Sequence, residues 1–264
     1  MTSSRIDTSV AHPARRYNYW LGGKDHFQAD RDSGDAIAEA FPSIRVAALA
    51  NRAFMGRAVE VLTRLGVRQF LDIGAGIPAP GNTHEVAQAI APESCVVYVD
   101  NDPLVMAHLR ALTTCPGPGC SACVEADVRS YQEILAHPQV HETLDLTRPV
   151  GLMLVSVLHF VSDDEDPYGT VAGLTRSLAP GSYLVLSHGT MDFAPPQNLP
   201  MVGTSPQHGS IWPRSRDEVA RFVTGLELLE PGIVSVADWR VDDEPGPRPS
   251  PTETGIYGVV GRIP

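Results

Sequence analysis

Apolar positions change their rhythm near Gly66. Upstream they recur at spacings of three and four: Ala36, Ile37, Ala40 and Phe41 share one helical face. Phe54, Ala58, Val61, Leu62 and Leu65 share another, and Gly66 is placed to stop that helix. Residues 1–66 are therefore expected to form a helical N-terminal cap, and 67–264 the core that holds the chemistry.

Downstream the pattern becomes short apolar run, loop, helix, short apolar run. The runs are Gln69–Ile73, Cys95–Val99, Ala122–Ala126, Val150–Leu158 and Ser182–Ser187. They are aliphatic without strict alternation, as strands covered on both faces of a parallel sheet should be. Helical patterns separate them: His84–Ile90, Pro103–Leu112, Tyr131–Ala136 and Gly169–Leu178. This is the signature of an α/β doubly wound sheet. Leu226–Trp239 and Gly255–Ile263 follow the last helix, Ser215–Val223, with no long helix between them, and read as an antiparallel pair. The sheet should then have seven strands, mostly parallel, with an antiparallel final strand. Asp242–Thr254 (DDEPGPRPSPTET) reads as an exposed loop.

Composition narrows the class. The 264 residues carry 20 basic and 31 acidic side chains, a net charge of -11. That argues against nucleic acid as partner, where phosphate neutralisation needs excess Lys and Arg, and against an anionic membrane. No apolar segment marks a secretory signal in the first twenty residues, and the longest apolar run, Val150–Val161, is too short to span a bilayer. A soluble, cytoplasmic protein is expected. Cys115, Cys120 and Cys123 lie in one Pro/Gly-rich stretch, with His108 the nearest candidate for a fourth ligand. A structural zinc site wants four ligands, and no second CxxC is present, so no metal is expected. In a reducing cytosol no disulfide is expected either.

The first strand runs into Asp72-Ile73-Gly74-Ala75-Gly76. Gly74 and Gly76 let the backbone bend sharply and approach a ligand at the carboxyl edge of the sheet. Gly74, Gly76 and Ala79 also satisfy the dinucleotide fingerprint, which leaves a nicotinamide-dependent oxidoreductase as an alternative. Against it, the Asp72 carboxylate would repel a pyrophosphate, and Pro78, Pro80 and Gly81 crowd the point where a phosphate-binding helix should begin. Asp100 closes VVYVD where a carboxylate grips two ribose hydroxyls, and Asp127 closes VEAD one strand later, in reach of an adenine amino group.

FLDIGAGIP, VVYVDNDP, EADVR, PVGLMLVSVLHFVSD and LAPGSYLVLSH resemble the successive motifs of a class I S-adenosylmethionine (SAM) methyltransferase. The block ARRYNYWLGGKDHFQADR at Ala14–Arg31, with NRAF at Asn51–Phe54 and VARF at Val219–Phe222, is similar to an actinobacterial SAM methyltransferase family of unassigned substrate. The resemblance covers nearly the whole chain. Pro78 departs from it where a third glycine is common, and His26 where Asn or Tyr is frequent. The resemblance implies a Rossmann-like class I methyltransferase fold and SAM as cofactor; a small-molecule methyl acceptor is expected. It implies that Asp72, Gly74 and Gly76 line the methionine end of SAM and that Asp100 holds the ribose. Asn101, Asp127 and Val128 would serve the adenine, and Ser156 would face the methionine portion. A SAM-binding regulatory protein without turnover would carry the same motifs. The acceptor and the oligomeric state are not written in them.

Methyl transfer from a sulfonium needs mainly alignment and a dry pocket, with a base only when the acceptor must lose a proton. His159 after the fourth strand and His188 at the end of the fifth are candidate bases, as is Tyr19. The alternative is that the histidines pack against the following loops. Tyr17, Gly22, Gly23 and Lys24, the one lysine in the chain, are expected to form a lid over SAM and acceptor, or else part of an aromatic plug. Arg15, Arg16 and Arg31 read as surface charge paired with neighbours such as Asp25, Asp30 and Asp32.

Overall fold

A computed structural model describes residues 6–112, 119–194, 211–241 and 246–264. Three helices open the chain: α1 (Pro13–Trp20), α2 (Gln28–Ala40) and α3 (Ile44–Arg64). The alternating part follows as β1 (Gln69–Ile73), α4 (Thr83–Ile90), β2 (Cys95–Asp100), α5 (Pro103–Leu112), β3 (Ser121–Glu125), α6 (Tyr131–Ala136), α7 (Pro138–Thr143), β4 (Gly151–Val155), α8 (Pro167–Arg176) and β5 (Tyr183–Gly189). The chain closes with α9 (Arg216–Phe222), β6 (Glu227–Leu228), β7 (Val234–Ser235), α10 (Pro251–Thr254) and β8 (Ile256–Arg262).

The strands form one sheet in the order β3-β2-β1-β4-β5-β8-β6, with β7 also on β8. β1 to β5 are parallel, while β8 is antiparallel to β5, β6 and β7. The strand order reverses between β1 and β4, which opens a crevice at their carboxyl ends.

The described sheet has eight strands rather than seven. Pro231 and Gly232 (φ 82°) break the apolar run Leu226–Trp239 into a turn, leaving β6 and β7 as two-residue pieces that meet opposite ends of β8. The run at Val150–Leu158 is also shorter than expected, because the chain turns at Ser156 (φ 54°). The loop expected at 242–254 ends in a helix: Ser250 and Glu253 make the reciprocal capping box of α10. Residues 242–245 lie outside the described residues.

α3 belongs to the core of the sheet. Its Phe54, Met55, Ala58, Val59 and Leu62 share one buried cluster with Phe70, Tyr98, Met153, Val185 and Val260 from the strands. Leu65, placed by its spacing on the same face, caps the helix and is exposed. The change of rhythm at Gly66 thus marks the end of a helix and not the edge of a core.

The expectation of free thiols is corrected at two positions. The register Val96↔Ser121 sets Cys95 beside Cys120 across the β2–β3 pair, and they form a disulfide with Cα atoms 4.6 Å apart. Cys123 is free and buried, and Cys115 lies outside the described residues. No helix among the described residues is long and apolar enough to cross a membrane.

Candidate functional site

A cavity of about 640 Å³ lies over the carboxyl ends of the parallel strands, within the roughly 300–1,000 Å³ usual for small-molecule sites. Its floor is the turn after β1. The N–H groups of Gly74 and Ala75 both donate to Val99 O, at 2.8 and 3.1 Å, folding the turn back onto β2. Gly74 (φ 78°) and Gly76 (φ 70°) hold left-handed backbone. A Cβ on Gly74 would sit 2.7 Å from Val157 Cγ2, whereas a Cβ on Gly76 would meet nothing within 4 Å and would enter the open space.

Asp100, at the end of β2, is 6% exposed. Its Oδ2 accepts from Gly76 N and its Oδ1 from Asp102 N, both at 2.9 Å. Burial pushes its carboxyl up to about 6, against the opposing pull of those donors. Asp72 is also raised by burial, while its Oδ2 accepts the Thr83 hydroxyl at 2.6 Å. Asp127 differs: Arg129 holds it down at about 2. Its oxygens accept from Arg129 N, Nε and Nη2 and from Asn101 Nδ2. Asp127, Asn101 and Val128 line the cavity, but the Asp127 carboxylate is already engaged on four sides.

Ser156 fastens floor to cap. Its N–H donates to Ser187 Oγ at 2.9 Å; Ser187 Oγ donates to Asn51 Oδ1 at 2.6 Å. Asn51 Nδ2 donates to Tyr17 Oη at 3.0 Å, which donates to Ala48 O at 2.9 Å. This run joins α1, α3, β5 and the end of β4, and burial raises Tyr17 so that its hydroxyl stays protonated.

The upper wall is apolar, from Trp20 of α1, Ile37 of α2, Phe41 and Ile44 at the α2–α3 corner, Phe160 after β4 and Met191 after β5. α1 and its N-cap His12 reach the cavity, the helix through Ala14, Arg16, Tyr17 and Trp20. Gly22, Gly23 and Lys24 do not line it: Lys24 is exposed, and Gly23 is small because a Cβ would strike the Asn18 amide. Tyr19 faces away too, its hydroxyl donating to Asp35 at 2.7 Å and its ring beneath Arg45.

The two histidines part company. His188 is fully buried off the cavity. Its Nδ1 donates to Gly189 O at 2.8 Å, and its Nε2 accepts from Arg214 Nη1 at 2.9 Å, so neither nitrogen is spare. Burial lowers it to about 4. His159 does line the cavity. Its Nδ1 accepts from Gly189 N at 3.4 Å, which places the imidazole proton on Nε2. Enclosure lowers it to about 3, keeping it neutral.

The arginines correct the surface-charge expectation. Arg15 is 4% exposed and grips Asp102 with two bonds, Nε at 2.8 Å and Nη2 at 2.9 Å. Arg16, 1% exposed, stands on the cavity wall. Only Arg31 stays in the local surface cluster, bonded to Gln28 and His26. Arg15, Arg16 and Asn18 are the buried residues of α1, and the spacing of its apolar residues did not mark them as inward. Asn51, Arg52 and Met55 also reach the wall, from a helix whose sequence marks only its core face.

A buried carboxylate at the end of β2, a glycine cradle open to the cavity and a floor of parallel strand ends suit an adenosyl ligand. A model of S-adenosyl methyltransferases matches residues 1–264. The chain belongs to that family. A DUF574 family protein of Streptomyces avermitilis is 44% identical with a TM-score of 0.92, over 98% of this chain and 100% of that one. A Thermobifida fusca protein, provisionally described as a methyltransferase, is 40% identical with a TM-score of 0.89, over 97% and 96%. An O-methyltransferase family protein of Burkholderia thailandensis shares the fold alone, at 15% identity and a TM-score of 0.50, over 89% of this chain and 62% of that one. No curated protein matches the chain.

SAM is the cofactor of this methyltransferase family, and the open space at Gly76 beside Asp100 fits it. The dinucleotide oxidoreductase has no support. α4 begins only at Thr83, seven residues past Gly76, so no helix N-terminus meets the glycine turn.

Proposed function

We propose that this methyltransferase methylates a small, largely apolar molecule held between the strand ends and the helical cap, in the cytoplasm. The observation that carries the reading is one cavity with two unlike halves: a polar floor of strand ends and an apolar upper wall. Asp100 would hold the ribose hydroxyls, and the Gly74–Gly76 turn the methionine end. Asn101 and Val128 would border the adenine, with Asp127 orienting Asn101 through their 2.8 Å bond. The cofactor supplies a methyl group already activated on a sulfonium.

The residues of the chain align the reactants and exclude water. His188 and Tyr19 stand outside the cavity and take no part in proton transfer. His159 offers an N–H to the acceptor. The net charge of -11 speaks against a polyanionic acceptor.

Calorimetry and thermal unfolding with S-adenosylhomocysteine, SAM and NAD test the first half. At 100-fold over its dissociation constant a ligand adds about 2.7 kcal/mol of stability. The adenosyl compounds should do so and NAD should not. A panel of small apolar acceptors, followed by release of S-adenosylhomocysteine, tests the second half. Cofactor binding with no turnover on any acceptor would favour a regulatory protein.

A further inference from the structure

Arg16 presents a problem of buried charge. The residue is 1% exposed on the cavity wall, and its one hydrogen bond among the described residues is from Nη1 to Ser33 Oγ, at 3.3 Å. The Nε N–H is buried without a partner among the described residues. Asp30 is the nearby counter-charge, but its Oδ1 is taken by His12 N and its Oδ2 by Phe27 N, both at 2.8 Å. Burial pulls Arg16 down to about 10, which leaves it charged at neutral pH. Asp30 balances this charge through space only, and a buried guanidinium with N–H groups left without acceptors is costly unless something anionic completes it.

His159 adds a second donor. Its Nε2–H has no partner among the described residues, and its ring lies on the same wall. The two groups are electrostatic neighbours: Arg16 adds to the burial, His188 and Arg214 in keeping the imidazole neutral. The Phe160 ring lies 4.3 Å from that of His159, and Ile37 and Phe41 add further apolar lining to the cavity. The other two cavity arginines are engaged: Arg52 donates to Ala79 O and Asn82 Oδ1, each at 2.7 Å, and Arg129 to Asp127 and Glu165.

We propose that Arg16 and the Nε2–H of His159 form an anion subsite on the acceptor side of the cavity, so that the methyl acceptor is an apolar or aromatic carboxylate. This rests on the methyl-transfer reading above. The same carboxylate chemistry exists in the methionine part of the cofactor, and the experiment separates the two sources.

Wild type, Arg16→Gln and Arg16→Lys are titrated by calorimetry with S-adenosylhomocysteine and with 5′-methylthioadenosine, which lacks the carboxylate. Each protein, saturated with S-adenosylhomocysteine, is then titrated with 1-naphthoate and with neutral 1-naphthamide. The loaded wild type should prefer naphthoate by about tenfold or more, the range of a charge-assisted hydrogen bond. Arg16→Gln should lose that preference, Arg16→Lys should keep part of it, and the affinity for S-adenosylhomocysteine should stay within about threefold in both. Equal binding of naphthoate and naphthamide by loaded wild type overturns the proposal. So does an Arg16→Gln protein that loses S-adenosylhomocysteine but keeps methylthioadenosine, since the carboxylate read would then be the cofactor's. If wild type fails to bind S-adenosylhomocysteine at all, the methyl-transfer reading itself has failed. Should Arg16→Gln not fold, the wild-type preference and the Arg16→Lys titration decide the matter.

Discussion

The floor and the upper wall of the cavity are built by different rules. The floor comes from consecutive strand ends, each delivering its residue at a fixed place: Gly74 and Gly76 after β1, Asp100 on β2, Ser156 after β4. Its polar groups are locked by backbone, as Asp100 is by Gly76 N and Asp102 N. The wall is gathered from α1, the α2–α3 corner and the segments after β4 and β5. It is held by side-chain bonds that bridge distant parts of the chain, such as Ser187 to Asn51, 136 positions apart. A floor of this kind fixes one cofactor, while the wall is free to set the acceptor.

The sharpest way to break the contrast is at Asp100. Asp100→Ala should weaken S-adenosylhomocysteine by tenfold or more, because a charged hydrogen bond contributes about 1.5–3 kcal/mol. Calorimetry checks it; unchanged affinity would mean that the floor does not grip the ribose. Gly74→Ala should cost stability by about 1–3 kcal/mol from its left-handed backbone alone, with the Val157 contact adding to it. Gly76→Ala carries the same backbone strain without the clash, so in denaturant unfolding it should lose less stability and proportionately more cofactor affinity.

The histidines probe the wall. His188→Ala should lower stability by about 1–3 kcal/mol, since it removes a fully buried ring and its bonds to Arg214 Nη1 and Gly189 O, and should leave cofactor affinity alone. His159→Ala should do the reverse of a core mutation, costing acceptor turnover more than stability. Equal behaviour of the two in unfolding and turnover assays would erase the distinction.

A pH series sharpens the picture of Asp100. With its folded value raised to about 6 from 3.8, the folded protein holds the Asp100 proton to higher pH than the unfolded chain does. This group's contribution to stability is therefore full below about 3.9 and is lost as pH rises through about 6. Ribose hydroxyls donate to the ionised form, so affinity for S-adenosylhomocysteine should be highest above about pH 6 and decline below it. Proton release on binding near that pH, measured in buffers of different ionisation enthalpy, checks the sign. The smallest effect is expected at Lys24, which is exposed and off the cavity. Lys24→Ala should change stability by less than about 0.5 kcal/mol and leave cofactor affinity unchanged. A drop in affinity would restore the segment after α1 to the lid.

Sequence alone determined the alternation of strand and helix, the glycine turn and the order of acidic strand ends, because these depend on local periodicity and on backbone conformations that few residues adopt. It also held the spacing that marks α3, though not that this helix shares the sheet's core. Which ionisable groups face the cavity was decided only by tertiary packing. Arg16 and Lys24 stand eight positions apart in one motif, yet one is buried on the wall and the other lies in solvent. His159 follows β4 and His188 lies near the end of the adjacent β5, yet Arg214, far along the chain, takes the spare nitrogen of one and not of the other. Such outcomes rest on contacts between distant segments, and a chain read residue by residue does not contain the distances that decide them.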